Sequence, residues 1–171
     1  VVDTEERRAR LMGEEVDERA DINELLESTL VVAHNRLNKV ADLQIDYTPG
    51  LPPISCGRGD LNQVFLNLLI NAADAVAETG KRGLIKISTK QKDNELVIEI
   101  FDNGIGIPED IKNKMFTPFF TTKKVGHGTG QGLAFSYSII VGKYNGKLYF
   151  ESKVREGTTF FIHLPIGTSG E

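Results

Sequence analysis

Two asparagines, Asn67 and Asn71, interrupt a strongly apolar stretch that reads Asn-Leu-Leu-Ile-Asn-Ala-Ala-Asp. Residues four apart project from the same side of a helix, so the two amides should lie close together. A polar amide on an apolar face needs a partner, and its carbonyl oxygen suits Mg²⁺ that also binds phosphate oxygens and water. On this pair alone, two amides satisfied by backbone groups are the favoured interpretation.

A second candidate is Asp102, which ends an apolar strand pattern and precedes Asn-Gly-Ile-Gly-Ile. The glycines Gly104 and Gly106 permit positive φ angles and a close approach of the backbone to a ligand. A carboxylate at this position can accept a hydrogen bond from an exocyclic amine, which would select adenine over guanine. Taken alone, the segment also fits a tight turn in which Asp is the turn former.

The third candidate is the glycine-rich segment 126–133, which leads directly into a helical pattern. Backbone N–H groups at such a helix start form an anion site, and Lys123 and Lys124 can add positive charge. A flexible glycine linker is the alternative. The segment has no Walker A spacing, and it follows a loop, whereas a dinucleotide fingerprint follows a strand.

The elements that must position these residues follow from hydrophobic periodicity and turn signals. Their order predicts an α+β, two-layer sandwich, with one mixed five-stranded sheet covered on one face by three helices. A long loop, 102–130, interrupts this plan, and loops of that length are usually functional. The predicted helices are 21–37, 60–80 and 131–144, and the predicted strands are 43–47, 84–90, 95–101, 147–154 and 158–164.

Composition limits the classes of function. A hydrophobic fraction of 40% supports a core, and the net charge of −4 is uneven, because residues 1–27 carry ten Asp/Glu against four Arg. This acidic start disfavours nucleic acid as a partner. Cys56 is the sole cysteine, so an internal disulfide and a Cys-based metal site are excluded. No apolar run reaches the roughly 18–20 residues that span a bilayer. We therefore expect no direct membrane insertion and a cytoplasmic location, which also fits the cytosolic part of a membrane-bound sensor.

The distribution of charged and apolar residues divides the chain into three parts. Residues 1–20 are expected to be a linker or the remnant of an upstream helix, 21–166 the folded domain, and 167–171 a frayed tail.

The motifs together resemble the catalytic and ATP-binding domain of sensor histidine kinases, within the gyrase, Hsp90, histidine kinase and MutL ATPase superfamily. The resemblance extends from Asp21 to Pro165 and implies a Bergerat-type fold, bound ATP and Mg²⁺, and an ATP lid over about 108–131. The matching segments are Asn67–Ala75 (N box), Asp102–Gly106 (first glycine box), Phe116–Phe120 (F box), Gly128–Gly132 (second glycine box) and Gly157–Pro165 (final strand).

This resemblance implies roles for individual residues. Asn71 would ligate Mg²⁺, Asn67 would assist at the phosphates or the metal, and Asp102 would bind the adenine amino group. Lys123 would join Asn67 and Asn71 as a catalytic residue, and Phe116, Phe119 and Phe120 would pack the lid. Gln131 departs from the apolar residue that many members have there. The remaining residues expected at the nucleotide are Asp74, Gly104, Ile105, Gly106, Ile107, Phe116, Thr121, Thr122, Gly126, His127, Gly128, Thr129, Gly130, Gln131, Gly132, Leu133 and Thr158.

The residue at position 67 separates two kinds of superfamily member. Hydrolysing members have a Glu there that activates water, and the Asn67 amide cannot act as a general base. The resemblance therefore implies transfer of the γ-phosphoryl group to a histidine, for relay to an Asp of a response regulator. A superfamily ATPase and a non-catalytic nucleotide-sensing module are the alternatives.

None of the three histidines fits the phosphoacceptor motif. His34 has no following proline motif and is expected to be a partly exposed helix residue, His163 lies on the last strand and is expected to be structural, and His127 lies in the glycine-rich loop. The acceptor is therefore expected on a dimerisation and histidine phosphotransfer domain that this chain lacks. The receiver domain of a response regulator would be an indirect partner, and the chain itself is expected to be monomeric.

Overall fold

The computed structural model describes residues 18–117 and 132–167. The helices and strands in this part of the chain are β1 (Glu18–Ala20), α1 (Ile22–Val40), β2 (Ala41–Asp46), β3 (Ile54–Cys56), α2 (Arg58–Ala77), β4 (Gly83–Lys92), β5 (Glu95–Asp102), a 3₁₀-helix (Glu109–Lys114), α3 (Gly132–Tyr137), a π-helical segment (Ser138–Lys143), β6 (Lys147–Lys153) and β7 (Gly157–Pro165).

The main sheet has five strands in the order β2-β4-β5-β7-β6. β2 and β4 are parallel, whereas the other neighbours are antiparallel. The helices and one face of the sheet share a single core, to which Phe65 of α2, Ile98 of β5 and Ile140 of the π-helical segment contribute. The predicted mixed sheet and two-layer α+β architecture are confirmed.

The first helix forms where its cap and apolar stripe predict it. The Asp21 carboxylate accepts hydrogen bonds from the backbone N–H groups of Asn23 (2.9 Å) and Glu24 (3.4 Å), which the first turn of a helix otherwise leaves unpaired. Leu25, Leu26, Thr29, Leu30, Ala33 and Leu37 of the predicted apolar stripe are buried. Val32, which the periodicity also placed in that stripe, is 73% exposed. The helix continues to Val40, beyond the predicted end at Leu37, and β2 follows at once.

The second helix begins two residues before its predicted start at Asp60. Its N-cap, Gly57, has no side chain to accept hydrogen bonds. The Gly57 N–H instead donates to the hydroxyl oxygen of Tyr144 (2.7 Å), 87 residues away, and that hydroxyl donates to Asp60 (3.1 Å). A tertiary contact thus supports the helix start, and periodicity cannot reveal such a contact. The helix ends at Ala77, before the predicted end near Gly80.

Three short elements were not predicted, namely β1, β3 and the 3₁₀-helix. β1 pairs antiparallel with β3, which buries Ala20, Ile54 and Cys56. The 3₁₀-helix lies within the stretch predicted as a loop, and the second half of the predicted third helix is π-helical. β1 also extends the folded part of the chain three residues before the expected boundary at Asp21. Within the described residues, no helix is both long and apolar enough to cross a bilayer.

Candidate functional site

Three polar side chains lie side by side on the face of the sheet that the helices cover. Asp102 on β5 is the register partner of Thr158 on β7, and Thr158 is the register partner of Ser152 on β6. Asp102 and Thr158 are 2% and 4% exposed, so the row forms a polar floor at the end of an otherwise apolar sheet. Buried polar groups of this kind require partners.

The Asp102 carboxyl group combines burial with a local hydrogen bond. Its Oδ1 accepts the backbone N–H of Gly104 at 2.9 Å. Burial raises the pKa of Asp102 to about 7, although the hydrogen bond from Gly104 lowers it. A carboxyl group that titrates near neutrality at a strand end is a candidate for ligand recognition. Its other oxygen can accept a hydrogen bond from a ligand amine.

The glycine turn after Asp102 packs directly against α2. The Ile105 N–H donates to the Ala75 carbonyl oxygen at 3.1 Å. A Cβ on Gly104 would lie 2.5 Å from the Ala75 carbonyl carbon, so no other residue fits without displacing the backbone. Ala75 lies one helical turn after Asn71. This contact places the glycine turn after Asp102, which is the predicted base-binding segment, next to the part of α2 that carries Asn71, the predicted metal ligand.

The other side of the same turn packs against the connection between β6 and β7. Gly106 has φ of 75°, and a Cβ on it would collide with the Lys153 carbonyl oxygen. The Arg155 N–H donates to the Ile105 carbonyl oxygen at 2.8 Å. The Ile107 N–H donates to Ser152 Oγ, also at 2.8 Å. The turn is therefore held between α2 and the end of β6.

The two asparagines lie on α2, and both are half-buried. Asn67 Nδ2 donates to the carbonyl oxygen of Gly132 (3.2 Å) and approaches Ser136 Oγ (3.4 Å). Gln63 Nε2 donates to Asn67 Oδ1 at 2.9 Å, which fixes the orientation of the amide. Asn67 therefore joins α2 to the start of α3, and its expected role at phosphates or metal stays a prediction.

Several other predicted residues have structural partners. The Asp74 carboxylate pairs with Arg36 of α1 at 2.7 Å. The ring of Phe116 packs against Tyr137 of α3 and Phe150 of β6, with centroids 5.1 and 5.8 Å apart. Leu133 packs against the core. These contacts neither require nor exclude a nucleotide, so the roles of these residues stay predictions.

The rest of the predicted site lies outside the described residues. This applies to the lid residues Phe119, Phe120, Thr121, Thr122, Lys123, Lys124, Gly126, His127, Gly128, Thr129, Gly130 and Gln131. Gly132 is the first described residue after them, and it contacts Asn67.

Sequence reasoning missed Ser152, Ser136 and Gln63. Ser136 is fully buried and donates to the Gly132 carbonyl oxygen at 2.8 Å. Ser152 follows the inward alternation of β6, after Leu148 and Phe150, so its face was readable from the strand pattern. The hydrogen-bond partners of Ser152 could not be predicted from the sequence, because they lie in the glycine turn and in β7.

The residues present fit a purine nucleotide with Mg²⁺. Asp102 offers a buried acceptor for an exocyclic amine, and the glycine turn that follows it is fixed between α2 and the end of β6. Among residues 18–117 and 132–167, no cluster of three or more His, Cys, Asp or Glu side chains could hold a metal ion. An amide oxygen such as that of Asn71, completed by phosphate oxygens and water, is a ligand set that Mg²⁺ accepts.

The two described histidines lie away from this floor. His34 is exposed on α1, as predicted, and contacts Asn38 at 2.9 Å. His163 faces the side of the sheet opposite Asp102, where its Nε2 contacts Tyr149 Oη (2.9 Å) and its Nδ1 contacts Glu95 (3.2 Å). It is 8% exposed, so the expected structural role agrees with its environment. His127 is outside the described residues.

Comparison with known proteins gives the same assignment. Residues 57–168 match the model of the family described as histidine kinase-, DNA gyrase B- and HSP90-like ATPase. The chain is 37% identical over 157 residues to the sensor kinase CckA of Brucella abortus (strain 2308), which covers 85% of the chain and 16% of the relative. It is 39% identical over 159 residues to the signal transduction histidine-protein kinase AtoS of Escherichia coli (strain K12), which covers 90% of the chain and 24% of the relative.

Among solved structures, the catalytic domain of histidine kinase ThkA matches with a TM-score of 0.77 and 30% identity, over 88% of this chain and 95% of that one. A second structure holds ThkA in complex with the response regulator protein TrrA, with a TM-score of 0.73 and 26% identity over 91% of this chain and 43% of that one. The chain spans about a sixth to a quarter of the curated relatives above. It belongs to the histidine kinase-, DNA gyrase B- and HSP90-like ATPase family, among the histidine kinase catalytic domains.

Proposed function

We propose that this chain is the Mg-ATP-binding kinase domain of a two-component sensor histidine kinase. It donates the γ-phosphoryl group of ATP to a histidine on a dimerisation domain outside these 171 residues. That phosphoryl group then passes to an Asp in the receiver domain of a response regulator. The domain works in the cytoplasm, where ATP is available. The observation that carries the proposal is the buried Asp102 beside a glycine turn that packs on the asparagine helix.

Four residues carry the nucleotide and the metal ion in this proposal. Asp102 accepts a hydrogen bond from the adenine amino group, and Gly104 and Gly106 let the turn beside it pack against Ala75 and Lys153. Asn71 holds Mg²⁺ through its amide oxygen, and the bound ion supplies charge neutralisation at the phosphates. Phosphoryl transfer depends mainly on positioning and charge stabilisation, which these residues can provide without a general base.

Position 67 favours transfer over hydrolysis. The Asn67 amide cannot abstract a proton from water, and its Nδ2 donates to the Gly132 carbonyl oxygen. His34 and His163 are bonded to Asn38, Tyr149 and Glu95, which gives no support for either as the acceptor. An acceptor on a separate domain is consistent with the kinase names of the relatives, each far longer than this chain.

The first experiment is calorimetry with Mg-ATP and Mg-GTP. We expect wild type to bind Mg-ATP with a dissociation constant between about 1 µM and 1 mM and to discriminate against GTP. Asp102→Asn should weaken ATP binding by about tenfold or more, because the amide then presents a donor to the adenine amine. Asn71→Ala should remove the dependence on Mg²⁺. Asn62→Ala, on the same helix, is the matched control and should leave binding unchanged.

The second experiment adds a purified histidine kinase dimerisation domain and measures acid-labile phosphohistidine. Failure to bind ATP, or equal binding of GTP, would overturn the proposal. Steady phosphate release that survives Asn67→Ala and stops with Asn71→Ala would assign the chain to the ATPases. Binding without transfer to any dimerisation domain would indicate a nucleotide-sensing module.

A further inference from the structure

Asn67 lies in the middle of a short chain of hydrogen bonds that joins α2 to α3. Gln63 Nε2 donates to Asn67 Oδ1 at 2.9 Å, and Asn67 Nδ2 donates to the Gly132 carbonyl oxygen at 3.2 Å. Ser136 Oγ donates to the same carbonyl oxygen at 2.8 Å and lies 3.4 Å from Asn67 Nδ2. Ser136 is buried and Gln63 is exposed, so the chain leads from the surface of α2 into the contact between the two helices.

The donors and acceptors of this chain can be assigned in one way only. A backbone carbonyl oxygen can only accept, so the Asn67 atom that faces Gly132 must be the amide nitrogen. The Asn67 oxygen then faces Gln63, and the Gln63 atom that meets it must be a nitrogen. The hydroxyl proton of Ser136 goes to the Gly132 carbonyl oxygen for the same reason. Gln63 therefore supports one of the two orientations of the Asn67 amide.

This orientation directs the two ends of the amide to different places. Gln63 precedes Asn67 by one helical turn and Asn71 follows it by one turn, so the Asn67 oxygen points away from Asn71. The nitrogen points to Gly132, in the glycine-rich segment that the sequence indicates as an anion site. One of its two protons bonds to Gly132. Among the described residues, the other has only the 3.4 Å contact with Ser136, which is long for a hydrogen bond. A phosphate oxygen can accept this second proton.

We propose that Gln63 is a positioning residue for the phosphate end of the site. By holding the Asn67 oxygen, it makes Asn67 a hydrogen-bond donor to the phosphate groups of ATP and leaves Mg²⁺ to Asn71. This inference rests on the proposed binding of Mg-ATP. Gln63 contacts neither the nucleotide nor the metal ion and acts through Asn67. It thereby selects between the two roles, at the phosphates or at the metal, that were expected of Asn67.

Calorimetry with Mg-ATP on variants of α2 tests this assignment. Gln63→Ala should weaken binding about three- to tenfold, because Asn67 loses the hydrogen bond that orients its amide. Gln63→Glu should weaken binding further, since a carboxylate repels the Asn67 oxygen and favours the reversed amide. Asn62→Asp is the matched control for the added charge, because it keeps the oxygen that accepts the Thr29 hydroxyl proton. It should change the affinity by less than about twofold, since its charge is exposed to screening by salt.

A double-mutant cycle separates this role from a purely structural one. Asn67→Ala should weaken ATP binding about tenfold, the range for a hydrogen bond to a charged group, and Gln63→Ala should weaken it no further in that background. The Mg²⁺ concentration that gives half-maximal ATP binding should be the same in wild type and Asn67→Ala.

Two results would overturn the inference. If Gln63→Ala weakens binding by the same factor with and without Asn67, Gln63 acts only on the fold of α2. If Asn67→Ala raises the Mg²⁺ concentration for half-maximal binding, the Asn67 oxygen ligates the metal ion. A wild-type protein that does not bind Mg-ATP would instead refute the proposed function.

Discussion

At the scale of single residues, the Asp102 carboxyl group is subject to two opposing influences. Burial disfavours its charged form, and the Gly104 N–H favours it. Burial is the larger influence, so the pKa rises from 3.8 to about 7. An amine donor from a ligand needs the ionised form. Nucleotide binding and proton release should therefore be coupled.

The first prediction concerns pH. The affinity for Mg-ATP should increase about tenfold between pH 6 and pH 8, because the ionised fraction of a group with pKa near 7 rises by that factor. Calorimetry in buffers of different ionisation enthalpy should detect proton release near pH 6.5. Asp102→Asn is the control, since its remaining pH dependence reports the phosphates alone. Identical pH profiles for the two proteins would contradict the prediction.

The same shift determines the sign of the effect on stability. Between about pH 4 and pH 7 the folded protein retains the Asp102 proton while the unfolded chain has released it. The contribution of Asp102 to the free energy of unfolding therefore falls as pH rises through this window, and it levels off above about pH 7. This is the opposite of the usual effect of a carboxyl group with a lowered pKa.

At the scale of elements, the site depends on how closely the glycine turn approaches its two neighbours. Gly104 contacts the backbone of α2 at Ala75, and Gly106 contacts the connection after β6 at Lys153. Asn67 links α2 to α3 through the Gly132 carbonyl oxygen. Each contact joins elements that are distant in sequence. A substitution that displaces α2 should therefore also displace the glycine turn and the start of α3.

The second prediction compares two glycines with nearly equal backbone angles. Gly106 has φ of 75° and Gly80 has φ of 73°, so an alanine at either position carries a cost of about 1–2 kcal/mol for the left-handed conformation. Only Gly106→Ala adds a clash with Lys153, because nothing lies within 4 Å of a Cβ on Gly80. Urea unfolding should show about 1 kcal/mol lost for Gly80→Ala and at least about 3 kcal/mol for Gly106→Ala.

Nucleotide binding provides a second measurement on this pair. Gly106→Ala should also weaken Mg-ATP binding, whereas Gly80→Ala should not. Equal losses of stability in the two variants would show that the contact at Lys153 is relieved by backbone movement.

At the scale of the whole molecule, one core supports both layers. Leu61, Phe65 and Leu69 of α2 are fully buried against the sheet, on the same helix that carries Asn67 and Asn71. The helix therefore serves the core with one face and the site with another. Substitutions in the buried face of α2 should therefore lower the free energy of unfolding more than they change the affinity for Mg-ATP.

The third prediction concerns Phe65, among the largest fully buried side chains in the described residues. Phe65→Ala should lower the free energy of unfolding by about 3–5 kcal/mol, because it removes buried apolar surface and leaves a cavity. Val32→Ala is the control, since Val32 is 73% exposed and its loss should change stability by less than about 0.5 kcal/mol. Thermal unfolding followed by circular dichroism measures both. Similar midpoints for the two variants would mean that α2 is not central to the core.

Local sequence determined the features that depend on neighbours along the chain. The Asp21 cap, the apolar faces of α1 and α2, the alternating strands and the order of the motifs were all readable in this way. The mixed sheet was predicted because an α+β order of amphipathic elements has few ways to bury its apolar faces. The predicted roles of Asn71 and Asp102 came from spacing and from the family resemblance.

Only the tertiary structure decided which groups meet. The start of α2 at Arg58 depends on Tyr144, and the pairing of β1 with β3 joins segments more than thirty residues apart. The acceptor of the Asn67 Nδ2 group is the Gly132 carbonyl oxygen, and Ser152 Oγ lies 2.7 Å from Thr158 Oγ1. The physical reason is common to all four cases. Hydrogen bonds and close packing act over a few ångströms in space, whereas periodicity and turn chemistry act over a few residues of sequence.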